Sequence, residues 1–301
     1  MTGTGRSKAG CWIEAMRLRT LPVSLAGVLY AAGLGVATGF FSLVPALMCL
    51  TFALLAQIAS NFANEYYDFK AGLDRAGREG PRRGVTEGDI TPAAMKYATY
   101  ATLGAACAVG CVLVAIYGEW WMYVVGILTA IGVMAYSTGP YPLSHHGLGE
   151  VAVVFFFGII PVCLTYILMG GPYSRGLLVA SIGIGLMGAN VLVVNNYRDA
   201  DDDRAVGKRT LAVMLGRRAM RAIYCSDGIL ALLFTLPPWI AAAASPSTLW
   251  WIVPAVYLAG HTALCVALGR LHGAKLNPLL GMTAVLMLVY AAGFLVTALL
   301  R

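Results

Sequence analysis

The sequence predicts an all-α integral membrane protein of nine transmembrane helices, and three observations lead there. Charged residues make up 12% of the 301 residues and hydrophobic ones 59%, where soluble domains carry about 25% charged residues. Apolar runs of roughly 20 residues recur from residue 22 onward, each long enough to cross about 30 Å of hydrocarbon as a helix. The short segments of alternating polarity that a membrane β-barrel needs are missing from the sequence.

Taken in order, the spans are expected near 22–40, 44–67, 94–117, 119–137, 149–170, 176–198, 219–241, 248–269 and 278–299. The first follows a basic stretch, as a signal peptide would, yet it fits the series and is read as a retained helix. A single domain, 1–301, is expected. It comprises an N-terminal segment, 1–21, and two polar loops, 68–95 and 199–218. Of 21 Lys and Arg residues, 19 fall in that segment and in the connections after spans two, six and eight; only Arg175 and Arg301 fall elsewhere. The positive-inside rule then places the N-terminus in the cytoplasm and the C-terminus outside a bacterial inner membrane. The net charge of +7 thus reflects topology and no nucleic-acid partner. Seven cysteines without a CxxC pair are expected to be small core residues. Trp120, Trp121, Trp250 and Trp251 are expected at the outer interface.

Acidic residues crowd the cytoplasmic side too, which the positive-inside rule does not require. Asn61, Asn64, Glu65, Asp68 and Asp74 lie at and just beyond the end of the second span; Asn195, Asn196, Asp199, Asp201, Asp202 and Asp203 lie at and just beyond the end of the sixth. Asn64 and Asp68 share a helical face, as do Asn195, Asp199 and Asp203. The repeated Asn-x-x-x-Asp suggests two halves meeting around one site. Carboxylates at membrane helix ends are costly and need a counter-charge. Hard oxygen ligands suit Mg²⁺ together with substrate phosphates. The flanking Lys70, Arg78, Arg82, Arg83, Arg198, Lys208 and Arg209 are too basic for a pure cation site. A metal-bridged diphosphate fits the mixture, with its apolar tail running between helices. Metal-assisted ionisation of an allylic diphosphate would follow, and Tyr66, Tyr67, Tyr136, Tyr141 and Tyr197 are candidates to face the carbocation. An Asp-dependent secondary transporter would hold its charges near the midplane. A CDP-alcohol phosphotransferase would pack its aspartates into one run.

The segments NFANEYYDFKAGLD (61–74) and NNYRDADDDRAVGKRTLAVMLG (195–216) resemble the two signature regions of the UbiA superfamily of intramembrane aromatic prenyltransferases. RLRTLPVSLAGVL (17–29), GPRRGVTEGDITP (80–92) and AYSTGPYPLSHHGLGEVAVVFFFG (135–158) resemble its menaquinone-pathway branch. The resemblance implies nine helices around a lipid-open cavity. It also implies polyprenyl transfer from a polyprenyl diphosphate to 1,4-dihydroxy-2-naphthoate with loss of the carboxylate, giving a demethylmenaquinone. Asn64, Asp68 and Asp74 would serve one Mg²⁺–diphosphate half and Asn195, Asp199 and Asp203 the other, with Asp68, Asp74, Asp199 and Asp203 nearest the metal. Lys208 and Arg209 would hold phosphate oxygens. The chain departs from the superfamily pattern at Gly72, where many members place an aspartate, and Asp74 is read as its substitute. His145, His146 and Glu150 are candidates for the aromatic acceptor, although Glu150 also suits a helix start. Asp227 and His261 are left out of the site.

Overall fold

The structure, a computed structural model, describes residues 7–74, 82–242 and 249–300. A short amphipathic helix, α1 (Lys8–Ala15), precedes nine longer ones: α2 (Leu21–Thr38), α3 (Leu43–Lys70), α4 (Pro92–Tyr117), α5 (Trp120–Ala135), α6 (Gly149–Leu168), α7 (Arg175–Ala205), α8 (Leu211–Ala242), α9 (Leu249–Leu268) and α10 (Asn277–Leu299). Eight of these are long and apolar enough to cross a bilayer, and α5 is a shorter apolar helix. The chain is an integral membrane protein.

The helices form a ring. α3 packs on α4 and α5; α7 packs on α6 and α8; α2 bridges the two groups and closes the ring against α10. Within its apolar window α7 is 72% buried, against 17% for α4. α7 is therefore the inner pillar and α4 an outer, lipid-facing helix. The main core lies around α7, with Tyr30, Trp239, Tyr290 and Phe294 fully enclosed. Trp120 and Trp251 are exposed, whereas Trp250 belongs to this core, 5% exposed and edge-on to Trp239, rather than facing outward as an interfacial anchor would.

α6 is interrupted over Val154–Ile159 by a wider π turn, where the Ile160 amide bonds to the Phe155 carbonyl. Pro161 follows and has no N–H to offer, so the local ladder re-registers as a π bulge. This brings Gly158 onto α7, where an added Cβ would run into Gly185 Cα and the Ser181 carbonyl oxygen. Close backbone approach through small residues is how membrane helices gain packing energy. Gly158→Ala is expected to lower stability by about 1–3 kcal/mol, read as a fall in the thermal midpoint in detergent. Gly104, with open space around it, is the matching position where alanine should not destabilise.

α8 begins eight residues earlier than the apolar pattern suggested. Its first turns carry Arg217, Arg218 and Arg221, and Gly216 breaks the helix with φ 80° and ψ 163°. Beyond the kink, Arg217 reaches back to the Tyr197 carbonyl (3.2 Å) and Asp201 (3.0 Å) on α7.

Candidate active site

α3 and α7 end in the same backbone motif. After α3, the Leu73 amide bonds to the Asp68 carbonyl (2.9 Å) and Gly72 to Phe69 (3.0 Å), with Gly72 at φ 69°. After α7, the Lys208 amide bonds to the Asp203 carbonyl (2.9 Å) and Gly207 to Arg204 (3.3 Å), with Gly207 at φ 77°. Both are Schellman caps closed by a left-handed glycine, and each places an aspartate at the third residue from the helix end. The sequence trace is Asp-x-x-x-Gly, at 68–72 and 203–207. Asp68 therefore corresponds to Asp203, and Asn64 to Asp199. The expected pairing of Asn64–Asp68 with Asn195–Asp199 is displaced by one turn.

The motif also explains Gly72. An aspartate there would sit in a left-handed conformation that disfavours a side chain. The glycine turns the chain so that Asp74 meets Arg83, Oδ2 to Nε 3.4 Å. Asp74 is not among the residues that wall the chamber described next.

The two tips wall one polar chamber of about 420 Å³, lined by Asn64 and Asp68 of α3, by Asn195, Asn196, Arg198, Asp199 and Asp203 of α7, and by Lys208 just beyond α7. Arg17, Arg19, Thr20 and Glu14 from the α1–α2 region, Gln57, Ser60 and Asn61 of α3, and Arg83, Tyr136, Ser144, Thr210 and Asn277 complete its polar lining. The Lys208 ammonium crosses from one tip to the other and meets Asp68 Oδ2 at 2.9 Å. Asp68 is 1% exposed; its Oδ2 also accepts from Asn64 Nδ2 at 3.2 Å. Its Oδ1 has no hydrogen-bond partner among the described residues. His145 Nε2 stands 3.6 Å from it, beyond hydrogen-bond length.

On the α7 side Arg198 grips Asp199 with Nε to Oδ1 at 2.6 Å and Nη2 to Oδ2 at 2.8 Å. The same guanidinium donates to Asn277 Oδ1 and Asn195 Oδ1, both at 2.8 Å. Such forked pairs hold a carboxylate's direction as well as its charge. Carboxylates near a helix C-terminus face the negative end of its dipole, so these cations stabilise the tips. Part of the counter-charge these carboxylates need is thus supplied by the chain itself.

Asn64 is held by two arginines: Oδ1 accepts from Arg17 Nη2 (2.7 Å) and Arg83 Nη2 (3.1 Å), while Nδ2 also donates to Ser137 Oγ (3.1 Å). Arg17 has φ 53°, a conformation uncommon outside glycine, and it lines the chamber. Sequence reasoning counted Arg83 among the basic residues flanking the first cluster but gave Arg17 no place in the site. Glu65 faces away and its Oε1 accepts the Val85 amide (3.0 Å), which ties down the 82–90 segment. Arg82 belongs to that segment, bound to Asp89 (2.8 Å) and Glu87 (3.4 Å), and does not line the chamber.

Other expected site residues take different positions. Lys70 and Arg209 are exposed and absent from the chamber wall; Arg209 instead gives its amide to the His145 carbonyl (3.0 Å). Arg78 lies outside the described residues. His146 bonds through Nδ1 to the Pro142 carbonyl (2.8 Å) and stacks on Tyr141 at 3.7 Å. Glu150 accepts from Asn196 Nδ2 at 2.8 Å and positions that chamber residue from behind. Of the five tyrosines, Tyr66, Tyr67 and Tyr197 line neither cavity; Tyr141 lines the apolar one below, and Tyr136 lines both.

That second cavity, about 890 Å³, is walled by α2, α3, α4, α5 and α6. It shares Gln57, Ser60, Tyr136, Val153 and Phe157 with the polar chamber, so the two abut. The arrangement suits a molecule with an anionic head and a long apolar tail. Among the described residues no three His, Cys, Asp or Glu side chains cluster closely enough to hold a metal ion unaided. One or two carboxylates per ion completed by phosphate oxygens is how Mg²⁺ is ordinarily bound. Asp68, with one buried oxygen still to be satisfied, suits such a shared site.

A helical membrane bundle whose two helix tips form a charged chamber above an apolar cavity defines a class of lipid-substrate enzymes. The chain belongs to the UbiA prenyltransferase family, whose profile matches residues 21–278. It is 35% identical to 1,4-dihydroxy-2-naphthoate octaprenyltransferase of Mycobacterium tuberculosis over 93% of this chain and 94% of that one. With the Haemophilus influenzae protein of the same name it shares 34% identity over 84% and 85%. The fold matches a UbiA homolog from Aeropyrum pernix K1 at TM-score 0.69, 14% identity, covering 91% of this chain and 97% of that one. A UbiA homolog from Archaeoglobus fulgidus bound to DMAPP and Mg2+ matches at TM-score 0.64 and 12% identity, covering 95% and 99%.

Proposed function

We propose that the protein transfers a polyprenyl group from an allylic polyprenyl diphosphate to 1,4-dihydroxy-2-naphthoate, with loss of the carboxylate, giving a demethylmenaquinone. The observation that carries this reading is the junction of a charged chamber with an apolar cavity beneath it. The identity to naphthoate octaprenyltransferases over most of the chain supports the acceptor.

The chamber wall carries five basic residues, Arg17, Arg19, Arg83, Arg198 and Lys208, and four acidic ones, Glu14, Asp68, Asp199 and Asp203. That near balance suits a diphosphate accompanied by divalent cations better than a bare anion or a bare metal. Asp68, Asp199 and Asp203 would hold Mg²⁺, which when bound neutralises charge developing on the leaving diphosphate. Lys208 exchanges Asp68 for a phosphate oxygen, and Arg17 and Arg83 keep Asn64 turned toward the head. Tyr136, at the junction, presents its ring where the allylic carbon would enter the apolar cavity and shields the cation from water. The chamber would open to the cytoplasm of a bacterial cell, as the loop charges require.

In detergent with Mg²⁺, a polyprenyl diphosphate and dihydroxynaphthoate, we expect a prenylated naphthoquinone, abolished by EDTA and restored by added Mg²⁺. Undiminished product in EDTA rejects the metal assignment; turnover of a different aromatic acid only rejects the acceptor.

A further inference from the structure

The apolar cavity follows α5 from the junction at Tyr136 to Met122, fourteen residues or about 21 Å along a helix. Its far end is closed by Met122 together with Val28, Cys49, Leu113 and Leu168, a small buried cluster whose members also line the cavity. Four glycines line the cavity, Gly110, Gly126, Gly132 and Gly139; Gly139 lies in the turn beyond Tyr136 with φ 105°, where its backbone requires glycine, and the other three stand between the two ends. Two of those three serve packing. A Cβ on Gly132 would strike the Phe156 ring, and one on Gly110 would press on Phe52 at 3.1 Å. Gly126 differs: nothing lies within 4 Å of where its Cβ would stand, although the residue lines the cavity inside a regular helix. Mid-helix glycine weakens a helix, and here no neighbour requires it. The missing side chain leaves open space within the cavity, ten residues or about 15 Å from Tyr136.

We propose that the substrate's apolar tail lies along α5 and that Gly126 is a specificity-determining position, its bare backbone leaving the bore that long tails need. This rests on the prenyl-transfer reading above. A short tail ends before Gly126 and is indifferent to a side chain there. A long tail must pass it.

The test is Gly126→Leu, a change that raises helix propensity and whose Cβ has no protein atom within 4 Å, so the variant is expected to fold. Gly104→Leu serves as control, because Gly104 also has open space around it but sits exposed on α4 outside both cavities. Donors of increasing length are compared, from dimethylallyl and geranyl through geranylgeranyl to longer polyprenyl diphosphates. In Gly126→Leu, kcat/KM is expected to fall about tenfold or more for geranylgeranyl and longer donors relative to geranyl, a change in pocket discrimination. Gly104→Leu should leave the length profile unaltered. Binding of the same diphosphates, measured by titration without acceptor, should show the same length-dependent loss. A profile that is unchanged, or depressed equally at every length, overturns the proposal. Wild-type protein that binds prenyl diphosphates but never prenylates dihydroxynaphthoate would reject the functional reading, while the binding profile would still decide the role of Gly126.

Discussion

Asp68→Asn lowers kcat by about a hundred- to a thousandfold, the range seen when one preorganised electrostatic group is removed from an active site. The carboxylate carries three tasks at once. It accepts Lys208 and Asn64, and its buried Oδ1 has no other hydrogen-bond partner among the described residues, which leaves that oxygen for a metal. Asparagine keeps the volume but removes the charge, leaving the Lys208 ammonium, 13% exposed, without a carboxylate. Breaking such a pair from one side is expected to lower stability on the order of 3 kcal/mol. Asp68→Asn combined with Lys208→Met removes both charges and should recover most of the stability while staying inactive. Thermal midpoints and turnover measured on the same preparations separate the two effects. Full activity in Asp68→Asn would contradict the assignment.

Arg198→Lys carries the second large effect. The guanidinium satisfies both oxygens of Asp199 and the side-chain oxygens of Asn195 and Asn277, so it ties the α7 tip to the start of α10. A lysine ammonium is a single point with a different reach and cannot reproduce a planar fork. Asp199 would be left buried at the negative end of a helix with a poor partner. We expect a stability loss on the order of 3 kcal/mol and at least a hundredfold fall in kcat/KM as Asp199 loses its orientation. Circular dichroism melts and steady-state kinetics check these. A wild-type melt together with wild-type kinetics would show that orientation of Asp199 is unimportant.

What the sequence made legible follows from where hydrophobicity and charge alone decide structure. The nine spans emerge because each apolar run must cross the bilayer as a helix, and the two tips stand out because charge is scarce elsewhere. Where neighbours decide, the reading slipped. The start of α8 is a five-residue apolar turn, 211–215, cut off from the apolar span by the kink at Gly216 and by Arg217 and Arg218, so a hydropathy pattern passes over it. Trp250 looks like an interfacial anchor until Trp239 and Phe294 are seen against it. Tyr66, Tyr67 and Tyr197 sit close to the aspartates in sequence, but helical rotation turns them elsewhere; Tyr67 bonds to the Tyr100 hydroxyl at 2.7 Å.

The site itself was half legible. Aspartates in two clusters are a compositional signal, and the repeated Asp-x-x-x-Gly is a sharper one, because each glycine marks the cap that sets where its aspartate stands. Arg17 and Arg83 carry no such signal. They reach Asn64 across 47 and 19 residues of chain, contacts that only the folded ring creates. Asp74 is expected in the site from a motif whose second acid this chain replaces with Gly72, and the left-handed turn there sets it beside Arg83, which walls the chamber.

The central claim is that the ends of α3 and α7 act as one diphosphate–metal site. Titration calorimetry with an inert prenyl thiolodiphosphate, with and without Mg²⁺, tests it on the wild type, Asp68→Asn, Asp203→Asn and the double variant. We predict Mg²⁺-dependent binding that falls about tenfold or more in each single variant, with the double variant no weaker than the poorer single, since neighbours within one unit are not additive. Binding indifferent to Mg²⁺, or left intact when either tip loses its aspartate, would contradict the account.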